Sequence, residues 1–126
     1  MIFSSRNEDG VPKWQQVMDG TATVTRRPHP AIVGKIYAVQ ATQGGKVLGR
    51  IRCVGCVEEE VWNHFFFNLI VDISGYIGRP QAREPFDAEA HREGFETWEG
   101  LWKALREIYG DRKLYRIEFK KVEAAL

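Results

Sequence analysis

The chain has 126 residues, a formal net charge of +1 at pH 7 and 44% hydrophobic residues. This length suits one domain with its own core, and the composition argues against a disordered chain. A charge so close to zero excludes a globally basic nucleic-acid binder but leaves room for a local basic patch. We see no export leader and no apolar run that could span a bilayer, so we expect a cytoplasmic protein with no membrane partner.

The start of the chain predicts a short strand, a short helix and a second extended piece. Residues 1–5 have the composition of a strand. Residues 11–20 favour a helix, because Pro12 suits its first turn and Gly20 suits its end. Residues 21–28 contain three threonines and one valine and end at a proline, which is typical of an extended segment.

A β-hairpin is predicted over residues 35–57, with its turn at residues 43–46, where two glycines can adopt positive φ. Alternation along the return strand places its side chains on two opposite faces. One face carries Leu48, Arg50, Arg52 and Val54, and the other carries Val47, Ile51 and Cys53.

Residues 57–86 resemble an insertion within a single domain that covers residues 1–126. The apolar run in this segment fits a helix or a strand equally well, whereas residues 74–85 are loop-like, with two glycines and two prolines. The aromatic-rich part, residues 57–78, also permits a third kind of function, a protein-interaction surface for a partner or a second copy.

The end of the chain predicts two helices and a strand. Asp87 suits the start of the first helix and Gly94 its end. Residues 97–110 carry an apolar stripe at helical spacing, and residues 113–122 alternate as a strand with one wet face. The resulting order of strands and helices indicates an α+β domain, most simply a small curled sheet with helices packed on it.

Metal and cofactor chemistry finds little support in the sequence. Cys53 and Cys56 have CxxC spacing, but no second pair of soft ligands lies nearby, and we interpret them as small apolar side chains. No phosphate-binding loop or dinucleotide fingerprint is present. We therefore expect no metal and no cofactor.

Basic residues form the first candidate site. If the predicted strands are neighbours, their cations make a positive stripe that could hold phosphates, and the alternative is an ordinary solvated strand face. These cations are Arg26, Arg27, Lys35, Arg50 and Arg52.

Two other residues are candidates on different grounds. Trp14 could stack on a base at the rim of a pocket, although core packing is the alternative. Glu93 lies at the predicted end of a helix, where the helix dipole disfavours a carboxylate, and such a misplaced charge can mark a functional site. By contrast, Trp98 and Trp102 belong to the apolar stripe and are predicted to be core.

Three stretches together resemble the ASCH domain family, which belongs to the PUA-like superfold. They are residues 14–28, 33–57 and 92–119, and the last is the most specific, with its Gly-Phe-x-x-Trp entry into a helix that ends Ile-Tyr-Gly. The resemblance implies a small β-barrel of mixed or antiparallel strands flanked by helices.

The family signature is Gly-x-Lys-x-x-(Glu or Thr)-x-Arg, which Gly20, Thr25 and Arg27 match, whereas Ala22 stands in the lysine place. Some ASCH proteins hydrolyse the acetyl amide of N4-acetylcytidine with that lysine, the threonine and a glutamate, whose place Glu93 takes here. The resemblance therefore implies Thr25 and Glu93 as catalytic residues if the protein is an enzyme, and Ala22 leaves that question open.

The resemblance and the arginines together predict binding of RNA or a nucleobase-containing ligand in a polar, basic cleft. In this interpretation Arg27 holds a phosphate or a base carbonyl, while Thr25 and Glu93 bind base edges. The alternative is a small hydrolase, either an amidohydrolase or a ribonuclease. Strand alternation predicts that only one of Arg26 and Arg27 faces the cleft. A monomer or a homodimer is expected.

Overall fold

The computed structural model describes residues 1–59, 80–110 and 112–123, with the backbone alone for residues 80–85. Within these ranges it forms three helices and one four-stranded antiparallel sheet, which confirms the predicted α+β class. In chain order the elements are α1 (Lys13–Asp19), β1 (Val24–Arg27), β2 (Ile36–Gln40), β3 (Val47–Glu59), α2 (Pro80–Arg92), α3 (Trp98–Tyr109) and β4 (Leu114–Lys121).

The strands lie in the order β1-β4-β3-β2, and every neighbouring pair is antiparallel. β1 and β2 are therefore the edge strands of the described sheet, and they do not pair with each other. The sheet is open in the described part of the chain, unlike the barrel that the resemblance implies. Small barrels use about five strands or more, whereas these four leave β1 and β2 as separate edge strands.

The β2–β3 hairpin forms as predicted. Leu48, Arg50, Arg52 and Val54 are all exposed, whereas Ile51 and Cys53 are buried on the opposite face. Val47 departs from this pattern, because 48% of its surface is exposed. It pairs with Gln40 beyond a register shift in the ladder, so alternation no longer directs its side chain to the core.

The predicted strand over residues 1–5 does not form. Ile2 makes only an isolated parallel bridge with Gln40, and the Phe3 N–H donates to the Gln40 carbonyl at 2.8 Å. Gln40 is the last residue of β2, so β2 offers no further backbone groups beyond it. Phe3 is nevertheless fully buried, with its ring centroid 5.9 Å from that of Phe119.

The bounds of α1 agree with the prediction, whereas the start of α2 does not. α1 follows Pro12 and ends at Gly20, whose φ of 84° lies in the left-handed region that favours glycine. α2 begins at Pro80, seven residues before Asp87, so the loop prediction is wrong for residues 80–85. Proline is well suited to a first helical position, which explains this early start. The rest of that loop prediction, and the ambiguous residues 60–79, lie outside the described part of the chain.

The core consists of separate clusters of buried apolar residues. Trp98, Leu101, Trp102 and Leu105 of α3 are buried with Leu114, as the stripe predicts. A second cluster joins α1 to the sheet through Phe3, Val17, Ala22, Val39, Ile51 and Phe119. None of the described helices is long and apolar enough to cross a membrane.

Candidate functional site

A cavity of about 260 Å³ lies beside β1, and we call it the β1 cavity. Its walls come from the N-terminal segment, α1, β1, the turn after α2, and α3. The lining residues are Ile2, Phe3, Ser4, Ser5, Arg6, Lys13, Thr25, Arg26, Arg27, Glu93, Phe95, Ala104, Leu105, Ile108 and Tyr109.

Thr25, Arg26 and Arg27 all line the cavity, although strand alternation predicts that only one of the two arginines does so. The reason is that β1 pairs with β4 alone, so its other edge is unpaired within the sheet. Side chains from both faces of a strand can reach a cavity that runs along its free edge. The Val24 carbonyl at this edge accepts a hydrogen bond from Lys13 Nζ at 3.0 Å, rather than one from another strand.

Arg26 is the centre of a buried ion cluster. Its guanidinium donates to Glu59 at 2.9 Å, Glu89 at 3.1 Å and Glu93 at 2.9 Å, and its side chain is 1% exposed. Burial alone would lower the Arg26 pKa, but the carboxylates of Glu93 and Glu59 outweigh it and raise the pKa above its ordinary value. The guanidinium carbon also lies 5.8 Å from the ring centroid of Trp98.

Glu89 links this cluster to β4. Arg116 donates to both of its carboxylate oxygens, with Nη2 at 3.2 Å from Oε2. Burial acts to raise the pKa of Glu89, but hydrogen bonds and charge from Arg116 and Arg26 hold it below its usual value. The sequence singled out Glu93 and missed Glu59 and Glu89 as its companions, because their partner Arg26 lies on a strand distant in sequence.

Lys13 is the cavity residue that sequence reasoning missed. It is 5% exposed, and its ammonium donates to the backbone carbonyls of Val24 and Glu93. Burial, together with Arg27 and Arg26, lowers its pKa to about 8 despite the opposing effect of Glu93. The sequence signal was the spacing of residues 13, 16 and 17, which places Lys13 on the same helical face as the apolar Val17.

Arg27 and Thr25 are less engaged than Arg26. Arg27 Nη2 donates to the Ile2 carbonyl, and its guanidinium carbon lies 4.6 Å from the Phe3 ring centroid. Its Nε is buried without a hydrogen-bond partner among the described residues, and burial lowers the Arg27 pKa. Thr25 is 6% exposed, and within the described ranges its side chain makes no hydrogen bond, so its hydroxyl is available to a ligand.

Four predicted site residues lie outside the β1 cavity. Arg50 and Arg52 share the exposed face of β3, as alternation predicts, and Lys35 places its ammonium 5.2 Å from the Tyr37 ring centroid. Trp14 packs against the cluster around Phe3 and Val17. The predicted basic stripe is therefore divided, because only Arg26 and Arg27 belong to the cavity.

Ala22 and the cysteines contribute no chemistry to the cavity. Ala22 is 1% exposed and packs in the core cluster of the sheet. Cys53 is buried, which raises the pKa of its thiol, and Cys56 is half-buried; both are free. The described residues contain no group of three or more histidine, cysteine, aspartate or glutamate side chains that could hold a metal ion.

The cavity therefore combines a free hydroxyl, a carboxylate, buried cations and aromatic rings in a small volume. Comparisons with protein-family models, with curated proteins and with solved structures found no match.

Proposed function

We propose that this protein binds a small ligand that contains a nucleobase, in the β1 cavity. The observation that carries the proposal is the convergence of Thr25, Arg27 and Glu93 in one cavity. These side chains differ in hydrogen-bonding capacity: a hydroxyl donates and accepts, a carboxylate accepts, and a guanidinium only donates. Such a mixed set suits the alternating donors and acceptors on the edge of a base.

The cavity walls also suit a planar ring. Phe3, Phe95 and Tyr109 contribute aromatic surface, and bases bind readily against aromatic side chains. The volume of about 260 Å³ lies at or below the low end of the roughly 300–1,000 Å³ typical of pockets for drug-sized ligands. A single base or nucleoside is thus the favoured ligand. Because Arg50 and Arg52 lie outside the cavity, an RNA chain would place a single base in the cavity and leave the rest of the chain outside it.

As part of this proposal we assign the chain to the ASCH family and interpret the open sheet as part of a PUA-like barrel. The support is the sequence resemblance, together with the position of Thr25, Arg27 and Glu93 on the walls of one cavity.

The proposal is tested by isothermal titration with the four ribonucleosides, N4-acetylcytidine and short single-stranded RNA. We expect saturable binding of at least one nucleoside, and a Thr25→Val variant that binds it about tenfold more weakly, because a hydrogen bond worth about 1.4 kcal/mol is lost. Thr23→Val is the matched control, since Thr23 does not line the cavity. Absence of binding by every nucleoside and RNA at millimolar concentration would overturn the proposal.

A second candidate function is hydrolysis of an acylated cytidine. The observation that favours it is Lys13, which brings an amine to the cavity from α1 although position 22 is alanine. With a pKa near 8, a fraction of this amine is neutral at physiological pH and can accept a proton. In this mechanism the Thr25 hydroxyl attacks the acyl carbonyl, its proton passes to Lys13 and then to the leaving amine, and water releases the acyl group from Thr25.

The hydrolase candidate is tested by incubation with N4-acetylcytidine and, separately, with RNA. We expect cytidine and acetate to form, with a rate that rises as the pH approaches 8 and is lost in Lys13→Met and Thr25→Val. Intact substrate after prolonged incubation at high protein concentration excludes the hydrolase and leaves the binding proposal untouched.

A further inference from the structure

More cations than carboxylates line the β1 cavity. Four cations, Arg6, Lys13, Arg26 and Arg27, face one carboxylate, Glu93, among the described lining residues. Because the cavity is partly screened from water, an excess of one charge is costly there unless a counter-charge is supplied.

Arg26 does not contribute to this excess. Its guanidinium is enclosed by Glu59, Glu89 and Glu93, all within 3.1 Å. The carboxylate of Glu93 is engaged with Arg26 at 2.9 Å. Among the described residues, the buried cavity cations without an ion pair to a carboxylate are therefore Lys13 and Arg27, whereas Arg6 is exposed and donates to the Gly10 carbonyl.

Lys13 and Arg27 are held by neutral groups in the described part of the chain. Lys13 Nζ uses two of its three hydrogens on the carbonyls of Val24 and Glu93, which leaves one donor. Arg27 donates one hydrogen to the Ile2 carbonyl, while its Nε–H is buried and has no acceptor among the described residues. Buried donors of charged groups are rarely left without an acceptor, so this orphan points to a missing ligand atom.

We propose that the ligand of the β1 cavity carries a phosphate monoester, bound between Lys13 and Arg27. A phosphate presents three acceptor oxygens, enough for the Arg27 Nε–H, a second Arg27 N–H and the free hydrogen of Lys13. The hydroxyls of Ser4 and Ser5 line the same cavity as further donors. The ligand is then a nucleoside monophosphate or a terminal nucleotide. Its base part rests on the proposed function, whereas the phosphate site stands on the two cations alone.

The test is isothermal titration of the full chain at pH 7 with each ribonucleoside, its 5′-monophosphate and inorganic phosphate. We expect the monophosphate to bind at least tenfold more tightly than its nucleoside. Lys13→Met and Arg27→Met should each remove this preference. Arg50→Met, on the exposed face of β3, is the matched control and should retain it.

A charge-retaining variant controls for a loss of binding that is caused by misfolding of Lys13→Met. Lys13→Arg keeps a cation in the cavity and should keep most of the preference. Between pH 7 and 10 the wild-type affinity for the monophosphate should fall once the pH exceeds about 8, because free Lys13, which faces Glu93, Arg26 and Arg27, loses its proton there. Lys13→Arg should show no such fall.

Two outcomes separate the two proposals, and a third overturns both. Equal affinities for nucleosides and monophosphates, without phosphate binding, overturn the phosphate site and leave base binding intact. Binding of phosphate or monophosphates that Arg27→Met abolishes, without nucleoside binding, supports the phosphate site and overturns base recognition as the source of affinity. If no compound binds, both proposals are wrong.

Discussion

At the scale of single residues, the feature that most shapes this molecule is Arg26. A cation near the end of an edge strand would ordinarily point to solvent, yet here it lies in the interior with three carboxylates and two indole rings around it. Removing the central cation of a buried ionic cluster takes a partner from several desolvated carboxylates at once, which costs more than the intact cluster contributes.

Arg26→Met should therefore destabilise the protein by about 3–5 kcal/mol, because Glu59, Glu89 and Glu93 lose their shared partner. Urea unfolding at pH 7 measures this loss. Arg50→Met, an exposed arginine on β3, should change stability by no more than about 0.5 kcal/mol. Similar effects of the two substitutions would show that the ion cluster does not hold the fold together.

Lys13 makes the free energy of unfolding depend on pH in the alkaline range. The folded pKa of about 8 lies below the ordinary value of 10.5, so the folded protein carries the cost of a buried charge below pH 8. This cost disappears as the pH rises from 8 to 10.5, and the unfolding free energy should increase by about 3 kcal/mol relative to a chain without Lys13.

The measurement is urea unfolding at several pH values in that interval, for wild type and for Lys13→Met. Because all other groups titrate in both proteins, only the difference between the two curves reports on Lys13. A difference that stays constant from pH 8 to 10.5 would mean that Lys13 is not desolvated in the folded protein.

At the scale of secondary-structure elements, the turn after α2 holds one wall of the β1 cavity in position. Gly94 has a φ of 88°, and its carbonyl accepts a hydrogen bond from Gln16 Nε2 of α1 at 2.8 Å. A Cβ at this position would lie 2.2 Å from Gln16 Oε1. Glycine is thus required both for the backbone conformation and for the close approach of α1, and this contact places Glu93 beside Lys13.

Gly94→Ala should cost about 2–3 kcal/mol, from the left-handed backbone and from displacement of Gln16. Gly20→Ala is the matched control: its φ is also positive, at 84°, but open space surrounds the Cβ position, so only the backbone cost of about 1 kcal/mol applies. Thermal unfolding of both variants gives the comparison, and equal losses would show that the Gln16 contact contributes nothing.

α3 illustrates an element whose start is determined locally. The Thr97 hydroxyl accepts a hydrogen bond from the Gly100 N–H at 3.1 Å. Thr97→Ala should destabilise the protein by about 1 kcal/mol, whereas Thr97→Ser should be nearly neutral, because serine retains the capping oxygen. Equal stability of the alanine and serine variants in urea would argue against this cap.

At the scale of the whole molecule, two groups of cations that were candidates for ligand binding lie in separate places. The β1 cavity holds Lys13 and Arg27, while Arg50 and Arg52 are exposed on the outer face of β3. Arg52 lies directly opposite Lys120 in the ladder, and within the described residues neither has an ion pair. Like charges in this arrangement are mildly destabilising, so the outer face gains no stability from them.

The two places should act independently. Arg50→Gln/Arg52→Gln is expected to leave nucleoside affinity in the cavity unchanged within a factor of two, because distant sites without shared partners contribute additively. Titration of the double variant with the nucleoside that the wild type binds best is the measurement. A tenfold loss would instead indicate one continuous surface, as a bound RNA chain would require.

Much of the fold followed from local patterns in the sequence. The hairpin, the stripe of α3 and the alternation of β4 were predictable because apolar periodicity and turn residues act over a few positions. The start of α2 at Pro80 was not, since its first six residues carry proline and charged side chains that also suit a loop.

The candidate site, like the fold, was predictable from the sequence only in part. The sequence by itself determined that Thr25, Arg27 and Glu93 were candidates, through residue type, strand position and resemblance. Only the tertiary structure decided that Arg26 is neutralised by three carboxylates, that Lys13 reaches the cavity from α1, and that Arg50 and Arg52 do not. The reason is physical: the environment of a charge depends on groups brought close by packing, and Arg26 and Glu93 are 67 positions apart in the chain.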